Sequence, residues 1–158
     1  MTIKNINNKK YMQVVSLCIM MTFMVCQSGI SQRFNSLVGA KVGYKTAAFS
    51  AKIAMDEKNY LEGTFGVVTP QPDYTVGVGI AYHRHIPLNE SKDFQFFYGV
   101  STKGVLGDEN GFGVGGDVGL IYIYKNISLG LDVNPTYFFN DVLGFRPLYG
   151  INLRWVND

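Results

Sequence analysis

Near the C-terminal end, Tyr149, Ile151, Leu153 and Trp155 occupy every second position, and Arg146, Gly150, Asn152 and Arg154 fall on the opposite parity. The same period of two sets Ile127, Leu129, Leu131 and Val133 against Ser128, Gly130, Asp132 and Asn134. It sets Tyr74, Val76, Val78, Ile80 and Tyr82 against Thr75, Gly77, Gly79, Ala81, His83 and His85. It returns in Phe112, Val114, Val118, Leu120 and Tyr122 against Gly113, Gly115, Asp117 and Gly119. Successive side chains of a strand point to opposite faces, so each stretch specifies a strand with one apolar face.

Short polar reversals separate these stretches. They are Lys45-Thr46, Asp56-Glu57-Lys58-Asn59, Pro70-Gln71-Pro72-Asp73, Asn89 to Asp93, Gly107-Asp108-Glu109-Asn110-Gly111, Lys125-Asn126 and Asn140 to Gly144. Gly, Pro, Asn and Asp favour chain reversal for distinct local reasons. Seven reversals delimit eight strands, predicted at 36–44, 47–55, 60–69, 74–87, 94–106, 112–124, 127–139 and 145–156. Even spacing and tight connections describe an antiparallel up-and-down meander, and a chain of 158 residues holds one such domain.

The small face decides the class. It carries Gly39, Gly43, Gly66, Gly77, Gly79, Gly99, Gly113, Gly115, Gly119, Gly130 and Gly150. Glycine in a water-facing strand weakens it with no gain in packing. Glycine facing a narrow lumen leaves room for its charged neighbours. Eight strands enclose an interior just wide enough for side chains, too narrow for the bulky face. The pattern therefore puts the apolar face on lipid and the small, charged face inside, the reverse of a soluble barrel. The expected lumen network sets Lys41, Lys52, Lys103, Arg146 and Arg154 against Glu62, Asp117 and Asp132, because buried charges must pair.

Aromatic placement agrees. With both chain ends at one rim, Tyr82, Phe94, Phe96, Tyr122, Tyr124 and Trp155 fall near that rim. Tyr44, Tyr74, Phe112, Tyr137, Phe139 and Phe145 fall near the other. Two such belts are expected where a barrel wall meets the two lipid–water boundaries.

The first residues read as a targeting segment. Lys4, Lys9 and Lys10 precede a 15-residue stretch, Tyr11 to Val25, that carries no charge. Gly29 and Ser31 then supply small residues at the two positions a signal peptidase reads. Cleavage is expected after Ser31, with Ser28 as the alternative; a lipoprotein reading would instead modify Cys26. The domains are thus 1–31, signal peptide, and 32–158, barrel. Cys18 and Cys26 both leave with the signal, so no disulfide or thiolate site is expected. The whole chain carries 14 Lys and Arg against 12 Asp and Glu, no basic footprint for nucleic acid.

A signal segment, eight alternating strands and a final Tyr149-x-Ile151-x-Leu153-x-Trp155 resemble the small outer-membrane barrels of Gram-negative bacteria, such as the OmpA transmembrane domain and OmpX. The Gln32 start and the stretch holding Leu131, Asp132, Val133, Asn134, Pro135 and Tyr137 resemble the short barrels of Bacteroidota. The resemblance implies outer-membrane localisation, contact with outer-membrane lipid, and insertion by the barrel-assembly machinery, whose signal the last strand resembles.

Other chemistry competes weakly with this. Gly111-Phe112-Gly113-Val114-Gly115-Gly116 fits a dinucleotide-binding spacing, but the sequence after it reads as strand where that motif needs a helix. His83 and His85 share a strand face and are the candidate metal ligands, without an identifiable third or fourth partner. Ser91 and Ser101 have no recognisable catalytic spacing, so no enzyme and no cofactor are expected. The charged lumen reads as a structural plug, with a narrow anion path as the sharper alternative. Lys45-Thr46, Thr69 to Asp73, Gly107 to Gly111 and Asn140 to Gly144 are short outer turns, which disfavours broad adhesion. The expected role is structural or interactive, with an envelope protein as partner in an envelope, secretion or conjugation apparatus. The alternatives are a soluble periplasmic barrel holding an apolar ligand, and a lipid hydrolase or acyltransferase.

Overall fold

The computed structural model describes residues 34–44, 46–68, 75–107, 110–139 and 144–157. The expected signal segment, its cleavage sites and Tyr74 lie outside them. Eight strands follow in order: β1 Ser36–Gly43, β2 Thr46–Ala54, β3 Asn59–Val68, β4 Thr75–Pro87, β5 Phe94–Leu106, β6 Gly111–Tyr124, β7 Ile127–Phe138 and β8 Phe145–Asn157. These bounds fall within one residue of those read from the reversals.

Each strand pairs antiparallel with the next, and β1 also pairs with β8, closing a barrel. At the seam Leu37 faces Val156 and Gly43 faces Gly150. Closure leaves no strand edge, so every strand has neighbours on both sides for its ladder. The ladder is interrupted between β6 and β7. Pairing runs through Gly115↔Thr136 and resumes at Val118↔Val133. Pro135 lies in the gap and also faces Pro147 on β8. Proline has no N–H to give to a ladder, so a break here follows from the sequence.

Parity places the apolar face outward. Leu129, Ile151 and Leu153 are 51%, 55% and 58% exposed, whereas Asp132 and Arg154 are 6% and 2% exposed. Among the described residues, 33 large hydrophobic side chains are exposed and only nine are buried. That imbalance is the inverse of an ordinary soluble domain.

The connections at the rim holding both chain ends are tightly built. Asp56 Oδ1 accepts from the backbone N–H groups of Lys58 and Asn59, both at 2.9 Å, and its Oδ2 accepts from Asn59 Nδ2 at 2.7 Å. Side-chain capping of this kind is the usual use of Asp in a turn. These bonds, that from the Asn59 side chain foremost, hold the Asp56 carboxyl below its ordinary value. Lys125 takes φ 52° in the two-residue joint between β6 and β7.

Among the described residues, seven of the nine buried apolar side chains gather at this same rim, while Val105 and Phe138 lie toward the other. Phe34, Leu37, Tyr60, Phe97, Ile121, Ile123 and Val156 form one cluster inside the barrel. Phe34 stacks on Tyr60 with ring centroids 4.8 Å apart. The cluster closes the lumen at the end where the chain enters and leaves it.

Candidate functional site: the charged interior

Above the apolar cluster, β3, β2 and β8 bring Glu62, Lys52 and Arg154 together. Arg154 Nη2 donates to Glu62 Oε1 at 2.7 Å and to Asn152 Oδ1 at 2.9 Å, and its Nε donates to Ser50 Oγ at 2.6 Å. Lys52 Nζ lies 3.2 Å from Glu62 Oε2. The same ammonium stands 4.2 Å from the centre of the Phe97 ring, so a cation–π contact ties this layer to the apolar cluster below. One carboxylate therefore serves two cations.

His83 bridges to the next layer. Its Nδ1 is 3.4 Å from Glu62 Oε2 and its Nε2 is 3.3 Å from Asp117 Oδ2. Asp117 in turn accepts from Asn134 Nδ2, which also donates to Ser101 Oγ. Asn134 Oδ1 accepts from Lys103 Nζ and from Thr136 Oγ1. Across the lumen Lys41 Nζ pairs with Asp132 Oδ2, which also accepts from Asn152 Nδ2 at 3.1 Å.

Seven of the eight expected lumen charges thus lie in one connected interior. Their strands bring them there because each occupies the small-residue parity. The eighth, Arg146, has that parity too, but it lies exposed near the opposite rim, at the mouth of the interior cavity. β8 enters the packed lumen only after it, from Gly150 on.

The histidines face different partners. His85 Nδ1 is 2.8 Å from Gln95 Oε1 and its Nε2 is 3.4 Å from Lys52 Nζ. Its ring packs against Tyr60 and Phe97. Their shared face therefore does not give the pair a common centre. Among the described residues, no group of three or more His, Cys, Asp or Glu is arranged to hold a metal ion. The Gly111–Gly116 run lies inside β6, and the chain continues as strand to Tyr124. Ser91 belongs to the exposed β4–β5 connection, where its Oγ accepts from Asn89 Nδ2 at 2.8 Å.

The outward aromatics form two groups. At the mouth, Tyr44 stacks with Tyr149, Phe112 stacks with Phe139, and Tyr137 meets Phe139 edge-on. Phe145 faces Tyr137 across the β7–β8 ladder. At the rim of the chain ends, Phe94 faces Tyr122, and Ile127 faces both Tyr124 and Trp155. Phe96 and Tyr82 sit further along the wall, Phe96 against Tyr98 and Tyr82 opposite Val100.

Sequence parity found the charges and missed two features. Phe34, ahead of the first alternating stretch, carries no periodic signal, yet it is fully buried in the lumen. Asn134 was legible only as a polar residue on the inner face. Its place as the hub between Asp117, Ser101 and Lys103 depends on three strands meeting. Ion pairs, amides and hydroxyls occupy the middle of the lumen. Compared with known proteins, the chain matches no family model and no curated sequence.

Proposed function

We propose that the chain is an integral outer-membrane barrel with a structural or interaction role, working as a membrane-embedded subunit of an envelope, secretion or conjugation apparatus. The observation that carries this reading is the inverted wall: among the described residues 33 large hydrophobic side chains are exposed, nearly all on the outer face of the strands of a closed barrel with a charged interior. Soluble monomers rarely expose contiguous apolar patches beyond a few hundred Å². Hydrocarbon is the solvent that suits such a wall, and a closed barrel is one of two folds that satisfy the backbone within it. Aromatic side chains near both rims are consistent with two lipid–water boundaries.

Fractionation of expressing cells tests the reading. The expected result is recovery with outer membranes, release only by detergent, and gel mobility that shifts when the detergent sample is boiled. Recovery in the soluble periplasm would overturn it. Crosslinking in the native envelope identifies the partner.

A further inference from the structure

The interior is a cup. The apolar cluster around Phe34 fills the end at the chain termini. Toward the other rim the lumen opens into a cavity of about 540 Å³, lined by Lys41, Lys103 and Arg146, by the carboxylates of Glu62 and Asp117, and by apolar side chains such as Val105 and Phe138, with the Thr64 and Ser101 hydroxyls among them. A cavity of that size lies within the usual range for small-molecule sites.

The cup is cationic in its own inventory. Among the described residues, the lumen holds four cations, Lys41, Lys52, Lys103 and Arg154, against three carboxylates, Glu62, Asp117 and Asp132. Asp132 pairs with Lys41, and Glu62 is shared by Lys52 and Arg154. Asp117 is engaged by His83 and Asn134. Lys103 has no carboxylate within ion-pairing distance among the described residues; its ammonium donates to the Asn134 amide oxygen. An ammonium has three protons to donate and loses hydration inside a protein, so this one stands under-compensated. Space lies beside it. Thr64 is its neighbour on the inner face: a Cβ added at Gly79 would be 2.6 Å from Thr64 Oγ1 and 3.5 Å from Lys103 Cγ, so the hydroxyl and the lysine stem close on the same glycine, and both line the cavity.

We propose that the cup is a blind anion-binding pocket, which takes the phosphate or carboxylate group of a small polar solute against Lys103 and the Thr64 hydroxyl. Lysine binds such groups as a point charge, and the hydroxyl adds a directed hydrogen bond. The closed end makes the site a receptacle and not a conduit. The pocket lies inside the wall, so the inference stands apart from what the outer face contacts.

The test uses the full barrel in nonionic detergent, titrated with inorganic phosphate and with acetate against chloride at matched ionic strength. Residue-resolved NMR follows the backbone amides. Expected are saturable shifts at Thr64, Gly79, Ser101 and Lys103 with either probe, and none at Tyr60 or Gln95 in the closed end. Lys103→Met should weaken binding about tenfold or more, Lys103→Arg should retain it, and Lys125→Met, in the β6–β7 joint at the rim of the chain ends, should leave it unchanged. An unaltered heat-dependent gel shift verifies that each variant is folded. No saturable shift with either probe overturns the proposal. Binding that Lys103→Met leaves within twofold overturns it equally.

Discussion

Arg154 and Glu62 stand 92 positions apart in the chain and meet across the lumen at 2.7 Å. Their strands are not neighbours: β8 reaches β3 only through β1 and β2 around the wall, so the pair spans the interior like a strut. Both are buried, and Lys52 leans on the same carboxylate. This asymmetry decides what each deletion does. Glu62→Gln leaves two buried cations facing each other without a counter-charge. Arg154→Met leaves the Glu62–Lys52 pair intact. Glu62→Gln should cost about 3–5 kcal/mol, the usual penalty for orphaning a buried charge, and Arg154→Met distinctly less. Urea unfolding of the refolded barrel measures both, and equal losses would show that the network is not organised around Glu62.

Two glycines on opposite faces should answer alanine differently. Gly119 looks inward, where an added Cβ would come within 2.5 Å of the Phe97 ring and 2.4 Å of the Leu131 carbonyl oxygen. Gly63 looks outward with nothing within 4 Å. Gly119→Ala should destabilise by about 1–3 kcal/mol, because the carbonyl cannot withdraw and the ring is held in the apolar cluster. Gly63→Ala should be neutral or stabilise by about 0.5–1 kcal/mol, since glycine is the poorer strand residue. Unfolding midpoints of the two variants check the contrast.

These same positions show what the sequence discloses. Strand count, order and orientation were legible because a one-residue slip would turn Leu129, Leu131 and Leu153 inward, and the period of two forbids it. Closure followed from the lipid-facing wall, since hydrocarbon leaves no partner for an open strand edge. The lumen charges were legible by parity alone, Asp132 and Arg154 among them. Their partners were not. Which cation meets Glu62 depends on the stagger of strands three apart, and alternation within a strand carries no information about that. Arg146 shows the limit: it has the parity of Arg154 but sits past the packed interior. Phe34 lies before the first periodic stretch, so nothing local marks it as a stopper.

The Asp56 turn offers a pH-dependent signal away from the barrel wall. Its carboxylate holds three donors, and its protonation is pushed below the ordinary range chiefly by the Asn59 side chain and then by the Lys58 amide. A depressed carboxylate contributes stability that is present above its unfolded value and lost as pH falls through the folded one. The Lys58 and Asn59 amide resonances should therefore titrate below the usual aspartate range, and Asn59→Ala should move that midpoint upward. An Asp56 midpoint at its ordinary value would contradict the hydrogen-bonded turn.

Trp155 provides the most direct measurement, because it is the sole tryptophan in the chain. It is 55% exposed on the outer face of β8 and stands at the rim of the chain ends, opposite Ile127. The barrel is reconstituted into vesicles whose lipids carry bromine either near the headgroup or deep in the acyl chain, and tryptophan emission is recorded. The expected result is strong quenching by the shallow bromines and weaker quenching by the deep ones, as suits a belt residue of a lipid-facing wall. Emission unaffected by either bromine position, from protein that stays outside the vesicles, would contradict a wall turned toward lipid.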